Sequence, residues 1–237
     1  MGMTARITRQ ITDYDNPAAL ATRLRQKRIA PLVELIRQAH ARHGEVRIVD
    51  VGGTRAYWNI LPAGLLAECR AQVTLVNLQP PGPAATAGDT FHYHQGDGCR
   101  LDEFADGAFH IAHSNSVIEH VGDWARMEAF ARETRRLAES YFVQTPNFWF
   151  PLEPHWMTPC FHWLPEPWRI ALVLRYSLGN MERCATVDAA CRQVESARLL
   201  DRRRFAHLFP EARLVTERFF GLPKSLIAIR EASPLPG

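Results

Sequence analysis

The stretch Ile48-Val-Asp-Val-Gly-Gly-Thr54 decides the fold. A short, largely apolar run that ends in two glycines predicts a buried strand entering a glycine turn. Glycine lets the backbone take a positive φ angle and come close to a ligand. Such turns also occur without any ligand, so this stretch alone leaves a functional and a purely structural interpretation open.

Strand and helix patterns alternate on both sides of this stretch. Further strands are predicted at Val73–Val76, Phe91–His94, Phe109–Ala112, Tyr141–Val143, Ala212–Phe219 and Ser225–Arg230. Helices are predicted to start at Asn16-Pro17 and at Pro31, and to cover Pro62–Cys69, Asp123–Leu137 and Asp201–Phe209. This alternation predicts a parallel sheet covered by helices on both faces, with ligands bound at the carboxyl ends of the strands.

Composition excludes several classes of protein. The chain has 237 residues, 46% of them hydrophobic and 22% charged, which is typical of one large globular domain. A net charge of +3 is too small to indicate nucleic-acid binding, and the basic clusters fit solvated helix faces. Five scattered cysteines without a C-x-x-C pair argue against disulfides and structural zinc. No signal peptide or membrane span is expected, so we predict a cytoplasmic protein.

Residues 146–185 are rich in proline and aromatic residues and interrupt the alternation. Dense proline forbids a regular strand or a long helix in the first half of this segment, and regular structure is expected to resume near Leu199. Two interpretations stay open, a functional lid or a small satellite core. We therefore expect a single domain with N-terminal helices at 1–44, a core at 45–146, a cap at 147–198, and a helix and hairpin at 199–237.

Polar residues gather where three of the predicted strands end. They are Asp50 to Thr54, then Gln95-Gly-Asp-Gly-Cys99, and then His113-Ser-Asn-Ser-Val-Ile-Glu-His-Val121. In order and spacing these pieces resemble the small-molecule branch of the class I methyltransferases, which use S-adenosylmethionine (SAM). The resemblance runs from about residue 47 to 146, and a weaker resemblance is present near the C-terminus.

The resemblance implies a Rossmann-like sandwich with a seven-stranded, mostly parallel sheet whose last strand is antiparallel, here carrying the aromatic and proline-rich cap. It also implies SAM across the strand ends, with a glycine turn beside the methionine part and an acidic residue on the adenine amine. Carried onto this chain, the cofactor-binding positions are Asp50, Gly52, Gly53, Thr54, Asn77, Leu78, Asp97, Gly98, Cys99, Ser114, Asn115 and Ser116.

The chain departs from the family pattern in two places. Its glycine-rich loop is shortened to Gly52-Gly-Thr54, which displaces the expected contacts. The second strand ends in Asn77, where the family has an acidic residue that binds both ribose hydroxyls. An amide still offers one acceptor and one donor group, so the ribose can be held without charge.

Three polar residues inside the cap, Asn147, His155 and Tyr176, are the predicted catalytic residues that orient or deprotonate a nucleophile. Aromatic faces nearby would attract the sulfonium of SAM. We expect no metal site, because the strand pair His92 and His94 lacks a third ligand. Glu119 and His120 are interpreted as structural, because neighbours on a helix point in different directions.

Four functions are compatible with parts of this pattern. The leading prediction is a methyltransferase of secondary metabolism that acts on a small molecule, with no nucleic-acid or membrane partner. A second is an intramolecular cyclase, which would convert SAM to azetidine-2-carboxylate and methylthioadenosine. A non-enzymatic partner-binding module is a third. A nicotinamide dehydrogenase is disfavoured, because Gly52-Gly-Thr-Arg55 lacks the G-x-G-x-x-G pattern.

Overall fold

The computed structural model describes residues 20–80 and 90–233. The predicted helix start at Asn16-Pro17 lies outside these residues. The first described helix, α1, spans Leu20–His43 and contains Pro31, so the prediction that a new helix starts there is wrong. Proline removes one helix hydrogen bond and crowds the carbonyl of the preceding turn. The helix nevertheless continues through it, with Ile29 and Leu32 buried on both sides. Gly44 ends the helix with a φ angle of 76°, as its sequence position predicts.

Seven strands form one sheet, with bounds Val46–Val51 (β1), Ala71–Asn77 (β2), Phe91–Gln95 (β3), Phe109–Asn115 (β4), Ala138–Pro146 (β5), Arg213–Phe219 (β8) and Leu222–Arg230 (β9). Their order across the sheet is β3-β2-β1-β4-β5-β9-β8. The sheet is mostly parallel and its last strands are antiparallel, as the sequence predicts. The apolar runs predicted as strands form the centre of the sheet. Of these, β1, β2 and β4 are buried along most of their length.

The remaining elements surround or interrupt this sheet. They are a 3-10 helix at Arg55–Ile60, α2 (Leu65–Glu68), α3 (Trp124–Leu137), the two-residue strands β6 (Leu152–Glu153) and β7 (Thr158–Pro159), α4 (Glu166–Arg175), α5 (Val187–Glu195) and α6 (Arg202–Leu208). The expectation that regular structure resumes only near Leu199 is wrong, because α4 and α5 precede it. The predicted helices at Asp123 and Asp201 each start at a capping aspartate, since Asp123 accepts from the Arg126 N–H and Asp201 from the Arg204 N–H.

The described residues fall into two compact units. The first comprises the chain up to Asn115 together with Glu133–Val143 and the chain from Ile229, and the second comprises Ser116–Arg132 and Gln144–Ala228. In the first unit, α1 packs on β1 and β4 while α2 packs on β2. No helix in residues 20–80 or 90–233 has both the length and the apolarity to cross a bilayer.

Candidate functional site

The predicted binding residues of the first unit follow the ends of neighbouring parallel strands. Asp50 on β1 pairs with Leu75 on β2 and with His113 on β4, and Asn77 pairs with Gln95 on β3. This register brings the polar ends of the four strands to one edge of the sheet. The residues placed there are Asp50, Gly52, Gly53, Thr54, Asn77, Leu78, Asp97, Gly98, Cys99, Ser114 and Asn115.

Asp50 is fully buried at this edge, where both of its carboxylate oxygens accept hydrogen bonds. The Trp58 indole N–H donates to Oδ2 at 2.8 Å, and His113 Nδ1 donates to Oδ1 at 2.6 Å. The His113 ring stacks on Phe142. A buried carboxylate is costly unless it is hydrogen-bonded, and these two donors give each of its oxygens a hydrogen bond. The Asp50 carboxylate therefore ties β1 to β4 and to the 3-10 helix.

The glycine turn is built around this carboxylate. Gly52 has a φ angle of 74°, which favours glycine, and its N–H donates to the Val76 carbonyl at 2.7 Å. A Cβ atom on Gly53 would lie 1.7 Å from Asp50 Oδ2, closer than any real contact. The second glycine is therefore required by the close approach of the Asp50 side chain.

Asn77 holds the same turn from the neighbouring strand. Its Nδ2 donates to the Gly53 carbonyl oxygen at 3.0 Å. An acidic residue lacks this donor, so the departure from the family pattern has a structural role in this chain. The next residue, Leu78, has 69% of its surface exposed, and its carbonyl accepts from Gln95 Nε2 at 3.1 Å.

Replacing Asn77 with aspartate should destabilise the fold rather than restore a more typical site. The new carboxylate would meet the Gly53 carbonyl oxygen with no donor between them, at a cost of about 1–2 kcal/mol. Urea denaturation measures this cost, and the exposed Asn59 on the 3-10 helix, changed to aspartate, is the matched control. Equal stability of the Asn77→Asp variant and the wild type would contradict the role of Asn77 in holding the glycine turn.

The remaining residues of this edge carry acceptor atoms. The Cys99 N–H donates to Asp97 Oδ1 at 3.0 Å, which closes a tight turn across Gly98. Ser114 Oγ donates to the Val51 carbonyl, and Asn115 Oδ1 is buried without a hydrogen-bond partner. A carboxylate offers about four acceptor positions, and Asp97 uses one of them for the Cys99 N–H.

Ser116 and the three predicted catalytic residues belong to the second unit. Ser116 has a φ angle of 56° and donates from Oγ to Gln144 Oε1. Asn147 is buried, and its Oδ1 accepts from the Trp149 N–H. Tyr176, 49% exposed, is the C-cap of α4, with the Arg175 guanidinium over its ring. Their catalytic roles stay predictions.

The proline-rich segment contains a small hydrophobic core of its own. Trp156, Phe161 and Val173 pack there with Cys184, Ala190 and Val194. Other aromatic side chains of the segment, Trp149, Trp163 and Trp168, are exposed. The satellite core expected as one interpretation is therefore present, and a lid function stays a prediction.

A cavity of about 270 Å³ lies beside this core within the second unit. Its walls include Phe161, His162 and Arg169. Arg169 Nε and His162 Nδ1 are buried without hydrogen-bond partners, and burial lowers the pKa of both groups. The cavity thus combines an aromatic surface with polar groups that a small molecule can satisfy.

Glu119, His120 and His155 come together elsewhere in the second unit. Burial raises the pKa of the Glu119 carboxyl to about 7, and hydrogen bonds from its own backbone and from Thr145 offset part of this rise. For His155, burial lowers the pKa, but hydrogen bonding to Glu153 and the nearby carboxylates outweigh it, so the pKa is raised. Glu119, His120 and His155 each offer one ligand atom within 4.8 Å of the other two, and the interpretation of Glu119 and His120 as structural residues stays a prediction.

The chain resembles known proteins by fold and not by sequence. No protein-family profile matches the sequence, and no curated protein matches it. Among solved structures, the methyltransferase domain of bacterial CtHen1 is similar, with a TM-score of 0.50, 14% identity, and coverage of 88% of this chain and 99% of that chain.

Two further solved structures are similar over nearly the whole chain. A possible exported protein from Bordetella parapertussis has a TM-score of 0.51 and 17% identity, and covers 97% of this chain and 79% of its own. The PH0226 protein from Pyrococcus horikoshii OT3 has a TM-score of 0.50 and 12% identity, with 98% and 100% covered. The chain has the Rossmann-like fold of class I methyltransferases. At these identities the likeness shows the fold alone.

The structure adds residues to the site that sequence reasoning did not single out. Trp58 and His113 were not among the predicted site residues, although both contact Asp50. The one feature of the sequence that pointed to Trp58 is that a tryptophan follows soon after the shortened glycine loop. His155 was predicted as a catalytic base, but its proximity to Glu119 and His120 depends on how the chain folds back over 35 residues.

Proposed function

We propose that this protein is a SAM-dependent methyltransferase that acts on a small molecule. The observation that carries the proposal is the edge of the sheet where Asp50 and Asn77 lie at the ends of β1 and β2 and Asp97 follows β3. Open α/β sheets bind their ligands at the carboxyl ends of the strands. The similarity in fold to a methyltransferase domain supports the same choice.

Each part of SAM has a suitable partner at this edge. The turn at Gly52–Thr54 would lie beside the methionine part, and Asp97 would accept a hydrogen bond from the adenine amine. Asn77 Oδ1 would accept from a ribose hydroxyl, since Nδ2 of the same amide already donates to Gly53. The buried acceptor Asn115 Oδ1 would face the electron-poor methylsulfonium region.

Methyl transfer needs little acid–base chemistry, because it is an in-line displacement governed by positioning. The second unit also contains a cavity with aromatic and polar walls, of the kind that holds a small molecule. Asn147, His155 and Tyr176 remain the predicted groups for orienting or deprotonating the acceptor. A role in secondary metabolism likewise stays a prediction.

Binding is tested by calorimetric titration of the purified chain with SAM, comparing Asp97→Ala with Asp97→Ser. Serine can still accept from the Cys99 N–H, so it keeps the turn while losing the reach to adenine. Loss of a hydrogen bond to a charged group should weaken SAM binding about 10- to 100-fold in both variants. Wild-type protein that binds no SAM would contradict the proposal and favour a partner-binding module.

The reaction is tested by incubating the protein with SAM and analysing the products by mass spectrometry. We expect no turnover with SAM alone, and S-adenosylhomocysteine once a suitable small-molecule acceptor is supplied. Methylthioadenosine together with azetidine-2-carboxylate, formed without an acceptor, would contradict the methyltransferase and identify the cyclase.

A further inference from the structure

The group Glu119, His120 and His155 has the composition of a metal-binding site. Each residue offers one ligand atom, and these three atoms lie within 4.8 Å of one another. Two imidazoles and one carboxylate are a ligand set that catalytic zinc and non-haem iron(II) both use, with positions left open for another ligand. This group lies entirely in the second unit and shares no residue with the SAM positions assigned above. It does include His155, and binding a metal through Nε2 would replace the role of this imidazole as a base.

The buried carboxylate of Glu119 has one oxygen occupied and one vacant. Oε2 accepts from the Thr145 hydroxyl at 3.0 Å, while Oε1 is buried without a hydrogen-bond partner. Glu119 is only 1% exposed. A buried polar atom without a partner is rare and needs an explanation, and a cation at Oε1 supplies one.

Both histidines are oriented by hydrogen bonds through Nδ1. His155 Nδ1 pairs with Glu153 Oε1 at 2.8 Å, and His120 Nδ1 pairs with the Ser196 carbonyl oxygen at 2.8 Å. Since both partners are acceptors, Nδ1 carries the proton in the neutral rings and each Nε2 presents a lone pair. Histidine ligands of metal ions are typically held in this way by a carboxylate or a backbone carbonyl.

The orienting carboxylate of Glu153 is itself firmly held. It is buried, and its Oε2 accepts from the Trp156 N–H. Two buried carboxylates, Glu119 and Glu153, therefore lie close to His155, and a divalent cation would balance their charge. His120 is exposed, which gives an ion a path from solvent and leaves room for an exchangeable ligand.

We propose that Glu119, His120 and His155 bind one divalent transition-metal ion through Glu119 Oε1 and the two Nε2 atoms. Ligands at about 2.1 Å from a shared ion lie roughly 3–4 Å apart, so binding draws the three groups slightly together. Imidazole with carboxylate suits Zn²⁺, Fe²⁺ and Co²⁺ better than Mg²⁺ or Ca²⁺. This proposal departs from the sequence expectation of no metal site.

The test uses the full chain, stripped with EDTA and titrated with Zn²⁺ and with Co²⁺ in the absence of SAM. We expect one equivalent of Zn²⁺ to bind, and Co²⁺ to give visible absorption bands of a nitrogen- and oxygen-ligated ion. Glu119→Gln, His120→Ala and His155→Ala should each weaken binding at least 10-fold. Glu153→Gln, which alters only the orienting group, should weaken it about 10- to 100-fold.

His92→Ala is the matched control, because His92 is an exposed histidine outside the group and should leave binding unchanged. Because His120 is exposed, His120→Ala should keep the fold even where the Glu119 variant does not, and circular dichroism checks this. Binding of less than half an equivalent would overturn the proposal. So would Zn²⁺ affinity that is the same in His120→Ala as in the wild type, since binding would then lie elsewhere, for instance at the exposed Cys160.

Discussion

Gly53→Ala should destabilise the protein by about 3 kcal/mol. The added methyl would lie 1.7 Å from Asp50 Oδ2 and 2.0 Å from its Cγ. Relief requires either that the carboxylate leave its two hydrogen bonds or that the turn move away from β1. Both responses are expensive, because Asp50 is fully buried and the turn is fixed by Val76 and Asn77.

Gly107→Ala is the control for the loss of a glycine without a steric clash. Gly107 has a φ angle of 64°, and no atom lies within 4 Å of the position that an added methyl would take, so its cost is the left-handed backbone alone, about 1–2 kcal/mol. Chemical denaturation gives both free energies of unfolding. If the Gly53 variant lost no more stability than the Gly107 variant, the close packing of the turn on Asp50 would not hold.

The sheet was predictable because its strands are set by local composition. The runs at β1, β2 and β4 are apolar enough to be buried on both faces, and that condition is visible in the sequence. The continuation of α1 through Pro31 could not be predicted, because proline is common at the start of a helix. There the burial of neighbouring residues in the tertiary structure decided the outcome.

Helices α4 and α5 were missed because proline density was given too much weight. Pro167 lies in the first turn of α4, where a missing N–H costs nothing. α5 carries ordinary signals, with Thr186 accepting from the Ala189 N–H and with Ala190 and Val194 buried one turn apart. The cap at Thr186 and the helical spacing of Ala190 and Val194 are both visible in the sequence of α5.

The candidate sites also contain residues that could be predicted from the sequence and residues that could not. Residues at strand ends could be predicted, because parallel strands bring their carboxyl ends to one edge whatever the loops do. The partners of Asp50 could not, because Trp58 reaches it only through the 3-10 helix and His113 only through the pairing of β1 with β4. Burial of Asp50 is likewise a property of the whole unit.

Asp50→Ala should cost about 3–5 kcal/mol, because it leaves the buried Trp58 N–H and His113 Nδ1 without an acceptor. Asp50→Asn should cost much less, since an amide can accept from Trp58 and donate to the other tautomer of His113. Asp188→Ala, which breaks an exposed ion pair with Arg192, should change stability little. Equal costs for Asp50→Ala and Asp50→Asn would contradict the role of the two hydrogen bonds.

The double variant Asp50→Ala/Gly53→Ala tests whether the turn and the carboxylate form one unit. Removing the carboxylate vacates the space that the Gly53 methyl would enter, so the second substitution should cost far less in the Asp50→Ala background than in the wild type. A double-mutant cycle measures this coupling, expected at about 2–3 kcal/mol, from four denaturation curves. Additive costs would mean that Gly53 is required for a reason other than Asp50.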